Sequence, residues 1–416
     1  MKIVIIAGGQ GTRIASIANE IPKAMIPIAG KPIIEYQVEL AKRYGYKEFI
    51  FIIGYLGDQI ETYFQDGSQW GVAISYYKET QPLGTAGALA YLTEDLTEEF
   101  FVFYGDTVMD IDMDRMLQFH KTRNSVATLF IHPNDHPYDS DIVEIDEHGK
   151  VKNIHNKPHP VGFLSKNLVN AALFIFSPAV LQQIEKGVKA HIESQILPKC
   201  MNLGFNLYGY VSPEYIKDMG TPDRYHAVCA NVTSGKVARL NLQYQRPAVF
   251  LDRDGVIIKE INLLDDVNKL ELVVGADEAI RHINKKGYLA IVVTNQPVIA
   301  RNLCTIEELE HIHAKMETML GEKRAYIDAL YYCPHHPDGG YPEERKEYKI
   351  KCACRKPAPG MLLQAAKDWN IDMANSIMIG DRDSDVLAGE NAGLKTSVKI
   401  EQNKPYALLD VLKQLI

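Results

Sequence analysis

The sequence has no apolar run near the roughly 18 residues that a membrane span requires, and it contains no low-complexity tract or short-period repeat. A transmembrane helix and a solenoid are thereby excluded. The opening Met1-Lys2-Ile3-Val4-Ile5-Ile6-Ala7 offers one cation and a short apolar run that enters glycines. That is too brief for a signal-peptide core and reads as a first strand, so a cytoplasmic protein without a membrane partner is expected. Positive charge is also in deficit. Lys and Arg total 45 against 53 Asp and Glu, a net charge of −8, which argues against the broad cationic face that nucleic acid demands. Local lysines can still receive small anionic substrates. Cysteine is scarce, at six. Three of these, Cys333, Cys352 and Cys354, crowd near His335 and His336, which in a reducing compartment points to metal before disulfide.

What is present is ordinary globular material. Hydrophobic residues make up 46% and charged residues 24%, enough burial to offset chain entropy. A length of 416 residues exceeds what one core usually serves. The first half alternates short apolar runs, Lys2 to Ala7, Phe49 to Ile53 and Phe100 to Tyr104, with a helical pattern at Ile34, Val38 and Ala41. Such alternation implies crossover units and a mainly parallel sheet. The pattern restarts at Ala248-Val249-Phe250-Leu251, passes through Ala276, Ala279, Ile280 and Ile283 on one helical face, and resumes at Leu289 to Val293 after Gly287. We therefore expect an α/β chain of two Rossmann-like domains, 1–233 and 247–416, with a linker at 234–246.

The first strand runs into Ala7-Gly8-Gly9-Gln10-Gly11-Thr12-Arg13, with Pro22-Lys23 beyond. Glycines let backbone N–H groups approach phosphate oxygens, and Arg13 and Lys23 can neutralise a triphosphate. A glycine-rich turn alone marks only a tight turn; the ordered set says more. That set continues with Leu83-Gly84-Thr85-Ala86-Gly87, Tyr104-Gly105-Asp106, Lys157-Pro158 and Lys217-Asp218-Met219-Gly220-Thr221-Pro222. Asp106 and Asp218 offer the hard oxygen ligands that Mg²⁺ takes. In this order the residues resemble the sugar-1-phosphate nucleotidyltransferases, a resemblance covering about residues 1–230, whose sheet is mixed. It implies that Gly8, Gly9, Gly11, Thr12 and Arg13 embrace a nucleoside triphosphate, that Lys23 steadies its phosphates, and that the segment containing Gln81, Gly84 and Thr85 surrounds the base. It further implies magnesium on Asp106 and Asp218, the sugar phosphate on Lys157, and sugar hydroxyls on Asn170 and Glu193. Asn170-Ala171-Ala172 departs from the commoner Asn-Ala-Gly, and Pro22-Lys23-Ala24-Met25 carries alanine where proline is frequent.

In the second half, Asp252-Arg253-Asp254-Gly255-Val256 follows an apolar strand, placing acids where α/β ligand sites form. Thr294-Asn295-Gln296, Lys356 and Gly380-Asp381 are further parts that should converge on the same sheet edge. The constellation resembles the haloacid dehalogenase superfamily of phosphatases, over about residues 247–416, with a parallel sheet. The resemblance implies Asp252 as nucleophile, Asp254 as general acid and base, and Mg²⁺ on Asp252, the Asp254 main chain and Asp381, with Asp385 supporting. Thr294, Asn295 and Lys356 would anchor the phosphoryl oxygens. Cys333, His335, Cys352 and Cys354 make a full tetrahedral set without an open position, as in structural zinc, with His336 a competing ligand. This zinc loop followed by Arg355-Lys356-Pro357 resembles the heptose bisphosphate phosphatases and the related histidinol-phosphate phosphatases. Arg355 can grip a second phosphate bidentately, which suits a sugar bisphosphate better than a cationic amino alcohol.

Gly11-Thr12-Arg13-Ile14-Ala15-Ser16 leading to Pro22-Lys23 resembles the heptose-1-phosphate guanylyltransferases, which makes GTP the expected nucleotide and sugar phosphates the expected partners. Nothing in Gln81 to Gly87 separates guanine from uracil or thymine on physical grounds. Two alternatives therefore stand beside a heptose enzyme. One is a hexose-1-phosphate uridylyl- or thymidylyltransferase joined to a histidinol-phosphate or other small-molecule phosphatase; the other is a pair in which one domain is silent and regulatory.

Overall fold

The computed structural model describes residues 1–9, 14, 17, 20–340 and 343–416. Two compact units form: one from Met1–Ile131, Val143–Asn156 and Asn170–Asn241, the other from His132–Ile142, Lys157–Val169 and Leu242–Ile416. Among the described residues, no helix is long and apolar enough to cross a membrane.

In the first unit the β-rich run Ile3–Ala7 lies between Phe100–Tyr104 and Glu48–Ile53, parallel to both, and Ala73–Lys78 extends the sheet beyond Glu48–Ile53. On the other side Val169–Phe176 runs antiparallel to Phe100–Tyr104, so the sheet is mixed. Alternate residues Ile3 and Ile5 face a core shared with Val38, Ala41, Phe51 and Phe64, the period-two pattern meeting the apolar stripe of the helix Ile33–Arg43. A separate two-stranded ribbon pairs Thr107–Asp110 with Tyr215–Asp218. The stretch 234–246, expected as a linker, contains a helical turn at Lys236–Arg239.

The second unit is built on a five-stranded parallel sheet ordered Ala329–Cys333, Leu289–Asn295, Ala248–Leu251, Ile377–Gly380, Thr396–Lys399. Ala248 and Phe250 face one core with Leu362, Ala365 and Ala388, while Val249 and Leu251 face another with Ala279, Ile283, Leu309 and Leu412. Helices therefore cover both faces, as the near-continuous apolar strands require. The chain order reverses beside Ala248–Leu251, and the crevice at such a point is where ligands of open α/β sheets bind. The helix Ile306–Glu322 of this unit also holds 157–169: Ser165 donates its N–H to Thr318 Oγ1 at 3.1 Å, Asn167 donates its N–H to Glu317 Oε2 at 2.8 Å, and Lys166 pairs with Glu310. Burial pushes the Glu317 carboxyl up to about 7.

Candidate active sites

In the first unit the loop after Ile3–Ala7 closes on a neighbouring loop through an acid. A Cβ on Gly8 would sit 2.1 Å from Glu79 Oε2, so a larger residue there would have to displace that carboxylate, and Glu79 Oε1 accepts the N–H of Leu83 at 3.1 Å. Gly9 is exposed with open space around it, and Gly11, Thr12 and Arg13 lie outside the described residues. Gly84 has φ +78, and a Cβ there would meet Ala190 O at 2.3 Å. That close passage ties the segment to 190–193: Ala86 donates to Ala190 O, and Ile192 donates to Thr85 Oγ1 at 2.9 Å. Glu193 Oε1 in turn accepts the Tyr104 hydroxyl at 2.7 Å, while Gln81 is exposed.

Tyr104 leads to Asp106, and the ribbon brings the second acid beside it. Asp218 pairs in register with Thr107, and Met219 donates its N–H to Asp106 O at 3.0 Å. Lys23 pairs with Asp106, and Arg224 Nη1 lies 2.9 Å from both oxygens of Asp218. Burial works to raise Asp218, but the Arg224 guanidinium and Lys23 outweigh it and hold the carboxyl below the usual range. Two adjacent carboxylates on a short, braced ribbon are a donor set that fits a magnesium ion. Two expected sugar contacts stand differently. Asn170 Oδ1 accepts the N–H of Ala172 at 3.4 Å, whereas Lys157 belongs to the second unit, where its ammonium donates to Asp139 O at 2.7 Å.

The second unit gathers its residues at the carboxyl ends of its strands. Asp252 follows Ala248–Leu251, Thr294 and Asn295 end Leu289–Asn295, and Asp381 follows Ile377–Gly380. Lys356 Nζ donates to Asp252 Oδ1 at 2.8 Å and to Val293 O at 2.7 Å, and pairs with Asp385 Oδ1 at 2.6 Å. Asp252, Asp381 and Asp385 place carboxylate oxygens within 4.8 Å of one another, all buried. Two glycines make room: a Cβ on Gly255, at φ +82, would meet Asp381 Oδ2 at 2.5 Å, and one on Gly380 would meet Asp385 Cβ at 2.2 Å.

Burial, with Asp385 and Asp254 nearby, pushes the Asp252 carboxyl up against the pull of Lys356. Asp381 is raised by burial too, and among the described residues its Oδ1 has no hydrogen-bond partner. Crowded buried carboxylates with an oxygen to spare are the hard donor set that fits magnesium. The Asp254 side chain stands outside the cluster, held by Arg253, Gln296 and Thr294. Asn295, expected on the phosphoryl group, instead spends its amide on the Lys356 main chain, accepting its N–H at 3.0 Å and donating to its carbonyl at 3.1 Å.

Cys333, His335, Cys352 and Cys354 converge with ligand atoms within 4.8 Å, and the cysteines are free thiols. Separations of 3.5 Å for Cys333–Cys352, 3.2 Å for Cys354–Cys352 and 3.4 Å for His335 Nδ1–Cys354 approach the roughly 3.7 Å between ligands of a tetrahedral zinc. The cluster could hold zinc. His336 is not in it, its Nδ1 facing Asp338. Arg355 follows directly, and its Nη1 donates to His335 O at 3.0 Å, so the cysteine loop orients this guanidinium.

The Nucleotidyl transferase family model matches residues 2–235, more than half of the chain. The chain belongs to the nucleotidyl transferases. Its second half is a haloacid dehalogenase-like phosphatase: the HAD-hydrolase-like model matches residues 353–399. A D-glycero-beta-D-manno-heptose-1,7-bisphosphate 7-phosphatase of Vibrio cholerae is 41% identical over 160 residues, 38% of this chain and 84% of that protein. A UTP–glucose-1-phosphate uridylyltransferase of Synechocystis is 30% identical over 243 residues, 55% of this chain and 62% of the relative. Among solved structures, HddC from Yersinia pseudotuberculosis complexed with GMP-PN aligns at a TM-score of 0.48 and 25% identity, covering 56% of this chain and 99% of that one. The protein is thus an enzyme of both kinds, a nucleotidyltransferase fused to a phosphatase that is similar to the heptose-bisphosphate phosphatases.

The transferase half uses two residues that the motifs did not single out, Glu79 behind Gly8 and Arg224 on Asp218. Both were legible only as charges close to a motif: Glu79 two residues before Gln81, and Arg224 in the first turn of the helix Pro222–Thr233. In the phosphatase half Gln402 was missed as well; its Nε2 donates to Asp381 Oδ2 at 2.7 Å from beyond the last strand, with no local pattern to mark it.

Proposed function

We propose that the phosphatase half removes the 7-phosphate of a D-glycero-D-manno-heptose 1,7-bisphosphate, and that the transferase half couples the resulting 1-phosphate to GMP from GTP, giving GDP-heptose and pyrophosphate. The observation that carries the reading is one chain joining a nucleotidyl transferase to a phosphatase half 41% identical to a heptose-bisphosphate phosphatase over most of that protein. Arg355, oriented by the cysteine loop beside Lys356, supplies a second phosphate grip. The choice of guanine is supported by the sequence resemblance from Gly11 to Lys23.

In the phosphatase step a carboxylate oxygen of Asp252 attacks phosphorus, the bond to the sugar oxygen breaks, and that oxygen takes a proton from Asp254. Water then attacks the aspartyl-phosphate, giving its proton to Asp254, and orthophosphate leaves with Asp252 restored. Lys356 and Thr294 hold phosphoryl oxygens, and Asn295 holds Lys356 in place. Magnesium on Asp252, the Asp254 main chain, Asp381 and Asp385 would supply charge neutralisation of the transferring group. In the transferase step the sugar-1-phosphate oxygen attacks the α-phosphorus in line, with no protein nucleophile. Arg13 and Lys23 neutralise the triphosphate, Asp106 and Asp218 would hold magnesium and so supply charge neutralisation, and Asn170 and Glu193 position the sugar.

The test supplies the purified protein with α- and β-heptose 1,7-bisphosphates, Mg²⁺ and each nucleoside triphosphate in turn, following orthophosphate, pyrophosphate and nucleotide-sugar by mass spectrometry. GDP-heptose with both phosphate products is expected. The 30% identity to a uridylyltransferase favours a second reading, uridylyl transfer to a hexose 1-phosphate, and UDP-hexose formation from a supplied hexose 1-phosphate and UTP, with no nucleotide-heptose from the heptose substrates, would establish it instead.

A further inference from the structure

Among the described residues the largest fully buried side chain is a cation on the nucleophile's own loop. Arg253 is 0% exposed, and its guanidinium meets four acceptors. Nε donates to Asp254 Oδ2 at 3.1 Å, and Nη2 to Asp254 Oδ1 at 2.9 Å and to Gln296 Oε1 at 2.8 Å. Nη1 lies 3.1 Å from His313 Nε2, on the helix Ile306–Glu322. A guanidinium has only hydrogens to give, which fixes the other groups. His313 must accept through Nε2 and carry its proton on Nδ1, and that buried Nδ1 finds no partner among the described residues. Gln296 must turn its oxygen to Arg253 and its nitrogen to Asp254 Oδ2, at 2.7 Å.

A buried charge and an unmatched ring N–H are costs that an apolar filling of the same space would avoid. What they secure is a fixed carboxylate. Asp254 Oδ2 receives Arg253 and Gln296 with Thr294 Oγ1 at 3.5 Å, while Oδ1 receives Arg253 alone. We propose that Arg253 is a positioning residue, held by His313 and Gln296, that ties down Asp254 Oδ2 and leaves Oδ1 as the oxygen that gives and takes the proton. Arg253 acts through Asp254, its Nη2 hydrogen bond taking one lone pair of Oδ1 and leaving the other for the proton. His313 sits on a helix fixed at its start by a reciprocal cap between Thr305 and Glu308, so the far end of the brace is rigid.

The inference rests on the reading of Asp254 as acid and base, and its test separates the two. With an alkyl phosphate, which needs a proton on its leaving oxygen, Arg253→Lys is expected to lower kcat by about 10- to 100-fold with KM within about twofold. With p-nitrophenyl phosphate, whose leaving group needs none, the same variant should release its first equivalent of nitrophenolate at the wild-type rate and then turn over slowly, because water activation still needs Asp254. Equal losses in the burst and in turnover, or no loss, would overturn the proposal. Should Arg253→Lys fold poorly, the pair His313→Gln and His313→Leu carries the test: Gln keeps an acceptor for Nη1 and should stay near wild type, and Leu should reproduce the split. Identical behaviour of the two overturns it. Wild-type turnover of the alkyl phosphate by Asp254→Asn would instead remove the acid and base reading itself.

Discussion

The two acid sites of this chain, both proposed to hold carboxylates beside phosphate, lie in different dielectric settings, one part-exposed and one buried. Asp106 and Lys23 of the transferase are 27% and 15% exposed, and each of its acids has a cation of its own, Lys23 for Asp106 and Arg224 for Asp218. In the phosphatase Lys356 and Asp385 are 1% exposed, Asp252 is 9%, and one ammonium serves two acids. The difference follows the chemistry. A reaction between two substrates needs charges that can be handed over to an entering triphosphate. A carboxylate that must itself attack phosphorus gains from desolvation and from a fixed aim.

The sharpest way to break this comparison is Asp252→Asn. It is expected to abolish phosphate release, by at least about a thousandfold, with nucleotidyl transfer to a supplied sugar 1-phosphate unchanged. Retained hydrolysis would mean that no covalent step occurs on this residue. Next comes Cys352→Ser, which should lower the zinc content of the purified protein and cost at least about 2 kcal/mol of stability, a small part of the roughly 10–16 kcal/mol that structural zinc supplies to peptides. Full zinc occupancy by elemental analysis would contradict the ligand set. The smallest effect is on the transferase side. Ala172 is held at φ +56 between the strand pairs at Val169 and Leu173, a left-handed conformation that costs an L-residue about 1 kcal/mol. Ala172→Gly should therefore raise the denaturant midpoint by the equivalent of roughly 0.5 kcal/mol, glycine's greater freedom when unfolded taking back part of the gain. A lowered midpoint would show that the Ala172 methyl packs for more than the strain it carries.

That alanine also marks how far the sequence could be read. Its departure from the commoner Asn-Ala-Gly was visible, but the positive φ that makes glycine common there was not, since it depends on where the strand pairing breaks. Both sheets, the mixed and the parallel, were legible because apolar strands alternate with amphipathic helices. Asp252 and Asp381 were legible because each directly follows such a strand, so spacing alone sends them to one edge. The cysteine cluster was legible for a similar reason, two short pairs that a single loop can fold together. What escaped were partnerships that no motif implies: Arg253 reaching His313, Gln402 reaching Asp381, and the Asn295 amide bonded to the Lys356 main chain. Such partnerships are decided by packing between helices and loops, which leaves no period in the sequence.

The segments His132–Ile142 and Lys157–Val169 interrupt the stretch that the transferase family model covers, yet they fold with the phosphatase unit, sealed to the helix Ile306–Glu322 by Asn167 on Glu317 and Ser165 on Thr318. A gene cut once near position 240 would divide the residues of the second unit between two products. The amino-terminal fragment would carry away two loops without the helix that seats them, and the carboxyl-terminal fragment would expose Glu317, a carboxyl raised to about 7 by its burial, to water. The second unit is therefore discontinuous in the chain, and the boundary between the two activities in sequence is not the boundary between the two units in space.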